Sequence, residues 1–375
     1  MTEHNPAPSP SGHPLLSGAP TLHEYSPNIH QACKTSGKVS PASPPPVGAD
    51  RANMGVGAAA GPVDGSSLMG SPGEWVAELQ HQDPRASHEN VVRAYLRQLA
   101  TVLVGLNAMC DALDPPRVYA RCVHKYREGV APHRTFGVSM AGLARMDSIG
   151  RMIRDAGKRN LTGSYAETGV WRGGMSIYAT AALQLHGMAT RPVYVCDSFQ
   201  GLPAPRTGSL RARSDAVYHR QKLGVGGVAQ VLSNFDHYGV PRGQVVPVVG
   251  FFVDSMPPLR TALLVKGEKL AILRLDGDMY DSTVDVLYNV YDLVQVGGYI
   301  VIDDFGWDPG PSFGARYAIM DFRALHGIED DAHAVRNIDG HAAWFYKARE
   351  VNLRRDLYLD SLTSNRKDRW SCTTS

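Results

Sequence analysis

The chain is 375 residues long, 43% hydrophobic and 20% charged, with a formal net charge of +2. Near neutrality argues against a basic nucleic-acid-binding surface, and no run of about 18 apolar residues is present to cross a membrane. Cys33, Cys110, Cys122, Cys196 and Cys372 are scattered without a CxxC pair, which argues against a disulfide framework and a structural zinc site.

Residues 1–75 hold about half of the 25 prolines, with many Gly, Ser and Ala. Such a segment cannot bury enough apolar surface to offset its chain entropy and is read as a disordered leader. It lacks the apolar core of a signal peptide and is poor in arginine, so the expected location is cytoplasmic. Residues 76–160 read as a helical region on the cap or substrate side. There Ser87 is a candidate N-cap for a helix built on Val91, Val92, Tyr95, Leu96, Leu99, Val102, Leu103 and Leu106. A loop over Arg127–Met140 precedes a second helix, Ala141–Ala156.

From 161 to 349 strand and helix signals alternate. Strands are expected at Ser164–Thr168, Pro192–Asp197, Gln244–Val249, Leu270–Leu275 and Tyr299–Asp303. Helices are expected at Met175–Leu185, Val228–Tyr238, Thr283–Leu293 and Ser312–Leu325. Two further strands, Ala334–Ile338 and Ala342–Tyr346, flank the turn pair Asp339-Gly340. The pattern predicts an α/β domain with a doubly wound, mostly parallel sheet and a C-terminal antiparallel hairpin. Residues 350–375 form a polar tail to which no chemistry is assigned.

Ligands of such sheets bind at the carboxyl ends of the strands. The first strand runs into Glu167-Thr168-Gly169-Val170-Trp171-Arg172-Gly173-Gly174. This turn lacks the GxGxxG spacing that suits a pyrophosphate, which argues against a nicotinamide dehydrogenase. Its acidic start suits a cationic or zwitterionic ligand such as S-adenosylmethionine. Asp197 ends the second strand, where a ribose diol is commonly held.

The densest chemistry lies later, in Leu275-Asp276-Gly277-Asp278 and Ile302-Asp303-Asp304. Both groups sit at predicted strand ends, so their carboxylates would converge if the strands are neighbours. Clustered carboxylates repel unless a cation neutralises them, and an all-oxygen donor set points to Mg2+, Ca2+ or Mn2+. Asp276, Asp303 and Asp304 are the expected metal ligands, with Mg2+ the best match. Asp278, on the loop, is the expected general base.

These stretches, with Asp197-Ser198-Phe199-Gln200-Gly201-Leu202-Pro203, occur in an order that resembles the macrocin O-methyltransferase family. That family comprises magnesium- and S-adenosylmethionine-dependent enzymes that methylate sugar hydroxyls. The resemblance spans roughly Arg127 to Lys347 and implies a class I methyltransferase (Rossmann-like) fold. It implies that Glu167, Thr168, Gly169, Val170 and Trp171 line the methionine part of the cofactor. Asp197, Ser198, Phe199, Gln200 and Gly201 would hold the ribose and flank the adenine. Ser139, Met140, Asp254 and Ser255 are further cofactor positions implied by the resemblance alone. The stretch Thr261–Lys269 is longer than the family pattern, and Glu74–Lys125 shows no match to it.

The expected reaction is methyl transfer to the hydroxyl of a small molecule, a sugar, glycoside or phenol. The alternatives are a catechol-type phenolic O-methyltransferase and a non-catalytic binding protein that keeps the fold. No nucleic-acid or membrane partner is expected, and homo-oligomerisation stays open.

Overall fold

A computed structural model describes residues 87–106, 137–306 apart from 207, 210, 221, 222 and 225, and 313–371. The leader at 1–75 and the loop up to residue 136 lie outside the described residues. Among the described residues no helix is long and apolar enough to cross a membrane.

Two helices open the described chain, α1 (His88–Leu103) and α2 (Leu143–Lys158). Ser87 caps α1 as expected, its Oγ accepting from the Asn90 amide at 3.3 Å. Then follow β1 (Ser164–Thr168), α3 (Gly174–Leu185), β2 (Val193–Asp197), α4 (Ala212–His219), α5 (Val228–His237) and β3 (Val245–Val249). The chain continues through α6 (Phe252–Lys266), β4 (Leu270–Leu275), α7 (Tyr280–Val290), β5 (Val294–Ile302) and α8 (Gly314–Leu325). It ends with β6 (Arg336–Asn337), β7 (Ala343–Tyr346) and α9 (Arg355–Ser371).

The strands form one seven-stranded sheet in the order 3-2-1-4-5-7-6. β1 to β5 are parallel and β7 runs antiparallel to both β5 and β6. This is the doubly wound sheet with a terminal hairpin that the sequence predicts. The period-two alternation of side chains gives each face its own core. Tyr165, Val193, Val195, Tyr299 and Val301 pack with α1, α2 and α3. Ala166, Tyr194, Leu273, Leu275, Ile300 and Ile302 pack with α6, α7 and α8. Burial on both faces explains why the inner strands read as near-continuous apolar runs.

Three helices depart from the sequence reading. Pro257 and Pro258 obscure α6, yet both lie within it, because Met256, Leu259 and Leu263 bury its inner side. α4 is short and only Asp215 on it is buried, so it carries no apolar periodicity. α9 occupies the stretch read as a polar tail. Tyr358 anchors it, 3% exposed and stacked on Tyr288 with ring centroids 5.1 Å apart. The hairpin is shorter than expected, since β6 pairs only Arg336 and Asn337 with β7.

Candidate active site

The strand order reverses between β1 and β4, and register carries the chain ends there to one edge. Thr168 lies opposite Cys196 and Leu275, and Leu275 lies opposite Ile302. Hydrogen bonding continues one residue past the strands: Asp276 N donates to Thr168 O at 2.8 Å, and Asp303 N to Leu275 O at 2.9 Å. The loops therefore leave the sheet from fixed positions, and Asp197, Asp276 and Asp303 share the edge.

Above this edge opens a cavity of about 850 Å³. Of the sequence-predicted residues, Met140, Gly169, Trp171, Asp197, Ser198, Gly201, Asp254, Asp276, Asp278, Asp303 and Asp304 line it. Ser139, Glu167, Thr168, Val170, Phe199 and Ser255 do not line it and are buried, and Gln200 does not line it and is exposed. Among these, Thr168 Oγ1 donates to Arg274 O at 3.1 Å, Ser139 Oγ accepts from Ala141 N at 3.1 Å, and Ser255 Oγ donates to Gly250 O at 3.2 Å.

The glycine turn is shaped by close approach. Gly169 has φ +92°, and a Cβ there would overlap the Asp276 carbonyl oxygen. Only glycine lets the β1 loop rest against the β4 end. Asp197 ties the two cofactor-side loops together: its Oδ2 accepts from Val170 N at 2.8 Å and Trp171 N at 3.2 Å, and its Oδ1 from Phe199 N at 2.7 Å.

Glu167 is 1% exposed. Its carboxylate accepts from Arg274 at 2.8 Å, Ser176 Oγ at 2.5 Å and Tyr165 OH at 3.2 Å. Burial pushes its carboxyl up to about 7, with Arg274 opposing the rise. Arg274, also 1% exposed, donates further to Asp276 at 2.8 Å and Asp303 at 2.5 Å. A second guanidinium, Arg145 on α2, reaches Asp303 at 2.6 Å and Asp339 at 2.7 Å. Against the effect of burial, Arg145 and Arg274 together hold Asp303 below the usual carboxylate range.

Neither arginine is among the site residues expected from the sequence. Arg274 had a signal, as a lone charge inside the apolar run of β4, where a buried charge requires partners. Arg145 and Asp339 had none, because they meet across 194 positions.

Carboxylate oxygens of Asp276, Asp303 and Asp304 lie within 4.8 Å of one another. Asp304 Oδ2 is buried without a hydrogen-bond partner. Burial, then the charges of Asp278, Asp276 and Asp303, push the Asp304 carboxyl well above its usual range. An orphaned buried oxygen in an all-carboxylate set fits a hard divalent cation. Asp278 follows on a turn with φ +56°, in the left-handed region rarely taken by a side-chain-bearing residue. Tyr218 of α4, Phe313 and His341 complete the wall beyond it. Phe313 packs on Tyr218 at 5.6 Å and on His341 at 4.7 Å between ring centroids.

Comparison with known proteins agrees with this geometry. The chain is 38% identical over 208 residues to an 8-demethyl-8-(2,3-dimethoxy-alpha-L-rhamnosyl)-tetracenomycin-C 4'-O-methyltransferase of Streptomyces olivaceus, covering 54% of this chain and 72% of the relative. It is 34% identical over 215 residues to the mycinamicin III 3''-O-methyltransferase of Micromonospora griseorubida, covering 56% of this chain and 80% of the relative. The solved structure of the O-methyltransferase NovP superposes with a TM-score of 0.58 at 31% identity, covering 69% of this chain and all of NovP. The family model described as Macrocin-O-methyltransferase (TylF) matches residues 107–347. With the 3-2-1-4-5-7-6 sheet and the acidic edge of the cavity, these matches show that the chain belongs to the macrocin O-methyltransferase family.

Proposed function

We propose that this protein transfers a methyl group from S-adenosylmethionine to a sugar hydroxyl of a glycosylated small molecule, with Mg2+ held by Asp276, Asp303 and Asp304. The observation that carries the reading is the convergence of those three carboxylates at the strand edge beside the glycine turn, in one cavity. The named relatives support the acceptor class, since their names place the methyl group on rhamnosyl-tetracenomycin and on mycinamicin III.

S-adenosylmethionine would lie along Gly169, Trp171, Asp197 and Ser198, with Asp254 toward its base. When bound, it supplies an electrophilic methyl group, and Mg2+ supplies positive charge that favours loss of a hydroxyl proton. The protein's part is positioning. Arg274 holds the Asp276 and Asp303 carboxylates from the core, and Arg145, itself in the cavity wall, holds the second oxygen of Asp303, so both groups keep fixed positions at the edge. Asp278 accepts the acceptor's hydroxyl proton on a carboxylate oxygen as the hydroxyl attacks. Orientation of aligned reactants can account for about 7–11 kcal/mol of barrier lowering. Tyr218, Phe313 and His341 wall the acceptor side.

The test is calorimetric titration with S-adenosylhomocysteine, with Mg2+ and with a chelator, followed by the same titration of Asp278→Asn. The wild type and the variant should bind S-adenosylhomocysteine alike, while the variant loses methyl transfer. Absence of binding in the wild type would overturn the cofactor assignment, and normal turnover by Asp278→Asn would overturn the base.

A further inference from the structure

We propose that Asp215 is a positioning residue for methyl transfer: from α4 it caps α7 across the fold and so fixes the turn that presents Asp278. The proposal rests on the reading of Asp278 as the base.

Asp215 is completely buried, although the rest of α4 is half-buried or exposed. A carboxylate is costly to bury unless its oxygens are well used. Here Oδ1 accepts from Tyr280 N at 3.0 Å and Oδ2 from Asp281 N at 3.3 Å. These are the first two amides of α7, which lack intrahelical partners. α7 has no side-chain cap of its own, because Met279 stands at the N-cap position. Asp215 therefore does, from a segment 65 residues away, what a local Asp or Ser does at most helix starts.

The capped end abuts the reacting region. Asp278 lies two residues before Tyr280 and is held at φ +56°. A side-chain-bearing residue keeps such a conformation only when its flanks are fixed. On the upstream flank, Asp276 N is tied to Thr168 O at 2.8 Å. On the downstream flank stand Asp215 and the start of α8, where Ala315 N donates to Asp278 O at 3.2 Å. Packing here is close: a Cβ on Gly314 would come within 2.5 Å of Asp215 Oδ1. The same short helix brings Tyr218, one turn on, into the cavity wall. One buried carboxylate thus joins the acceptor wall to the turn bearing the base.

The experiment compares wild type, Asp215→Ala, Asp215→Asn and Asp278→Asn in the full chain. Hydrogen exchange is followed at residues 276–285, S-adenosylhomocysteine affinity by calorimetry, and methyl transfer with methyl α-L-rhamnoside as acceptor. Asp215→Ala should speed exchange at the Tyr280 and Asp281 amides by about fivefold or more. It should lower kcat by about 10- to 100-fold, the scale of a misplaced catalytic group, with KM and S-adenosylhomocysteine affinity unchanged. Asp215→Asn keeps one of the two capping oxygens and should restore part of both, with one of the Tyr280 and Asp281 amides protected and the other exchanging as in Asp215→Ala.

Unchanged exchange in Asp215→Ala would overturn the proposal, as would a loss of cofactor affinity in step with a general rise in exchange. Full turnover by Asp278→Asn would sink the base reading instead, and the exchange data would still decide whether Asp215 fixes the turn.

Discussion

Glu167 shows how a residue's role depends on which way its strand faces. In the chain it heads the glycine turn, and in the fold its side chain turns inward to Arg274, Ser176 and Tyr165. Arg274 then spans Glu167, Asp276 and Asp303, so the acidic edge is built around a buried cation of the protein's own. Burial raises the Glu167 carboxyl from 4.5 to about 7. For an acid with a raised folded pKa, the folded state binds more protons than the unfolded state. Its contribution to stability is therefore full below 4.5 and is lost as pH rises through about 7. Glu167→Gln removes that titration. Melting curves should show wild-type stability falling relative to the variant between these pH values and running parallel outside them. Parallel behaviour throughout would mean that Arg274 keeps Glu167 ionised at every pH.

At the scale of elements, α9 reaches the cavity although it follows the family-matched residues. Its Tyr358 donates to Asp285 of α7 at 2.9 Å, and Arg206 donates to the same carboxylate at 2.8 Å. Leu362, one turn further, lines the cavity beside Arg206, Asp281 and Asp285. The first turns of α9 thus meet α7 at Asn289 and Asp285. Tyr358→Phe keeps the ring stacked on Tyr288 and removes the hydroxyl. The loss should be about 1.5–3 kcal/mol, the range for a hydrogen bond to a charged group. Thermal unfolding should register it as a fall of about 2–4 °C per kcal/mol for a domain of this size. An unchanged midpoint would show that Arg206 alone satisfies Asp285. α7 begins three residues earlier than its sequence pattern indicates, and its first amides are those capped by Asp215.

For the whole molecule, the acidic edge predicts that cation binding and folding are linked. A divalent ion that binds only the folded chain adds stability by mass action, about 2.7 kcal/mol at one hundred times its Kd. Mg2+ should raise the midpoint of thermal unfolding by several degrees and a chelator should reverse it. Asp304→Asn should abolish the shift, because it removes a charge at the orphaned oxygen while leaving the Arg145 and Arg274 pairs intact. A full Mg2+ shift in that variant would exclude Asp304 from the site.

The strands, their order of appearance and the acids at their ends were legible in the sequence, because parallel strands buried on both faces leave continuous apolar runs that stop at the polar edge. β1 and β4 match their expected bounds, and Asp276, Asp303 and Asp304 meet as their strand ends foretold. These features are local: each follows from a pattern within about ten residues and from the side-chain period of a strand. The sequence by itself thus determined the sheet, the glycine turn and the carboxylates offered at its edge. Only the tertiary structure decided what holds those carboxylates and what packs around them: Arg145 against Asp303 and Asp339 and Arg274 turned into the core hold them, while Asp215 caps the start of α7 and α9 meets Asp285 beside them. Each of these pairs joins residues distant in the chain, except where Arg274 meets Asp276. No local spacing encodes such meetings, since they exist only after both faces of the sheet are covered and a buried charge has to find its partner.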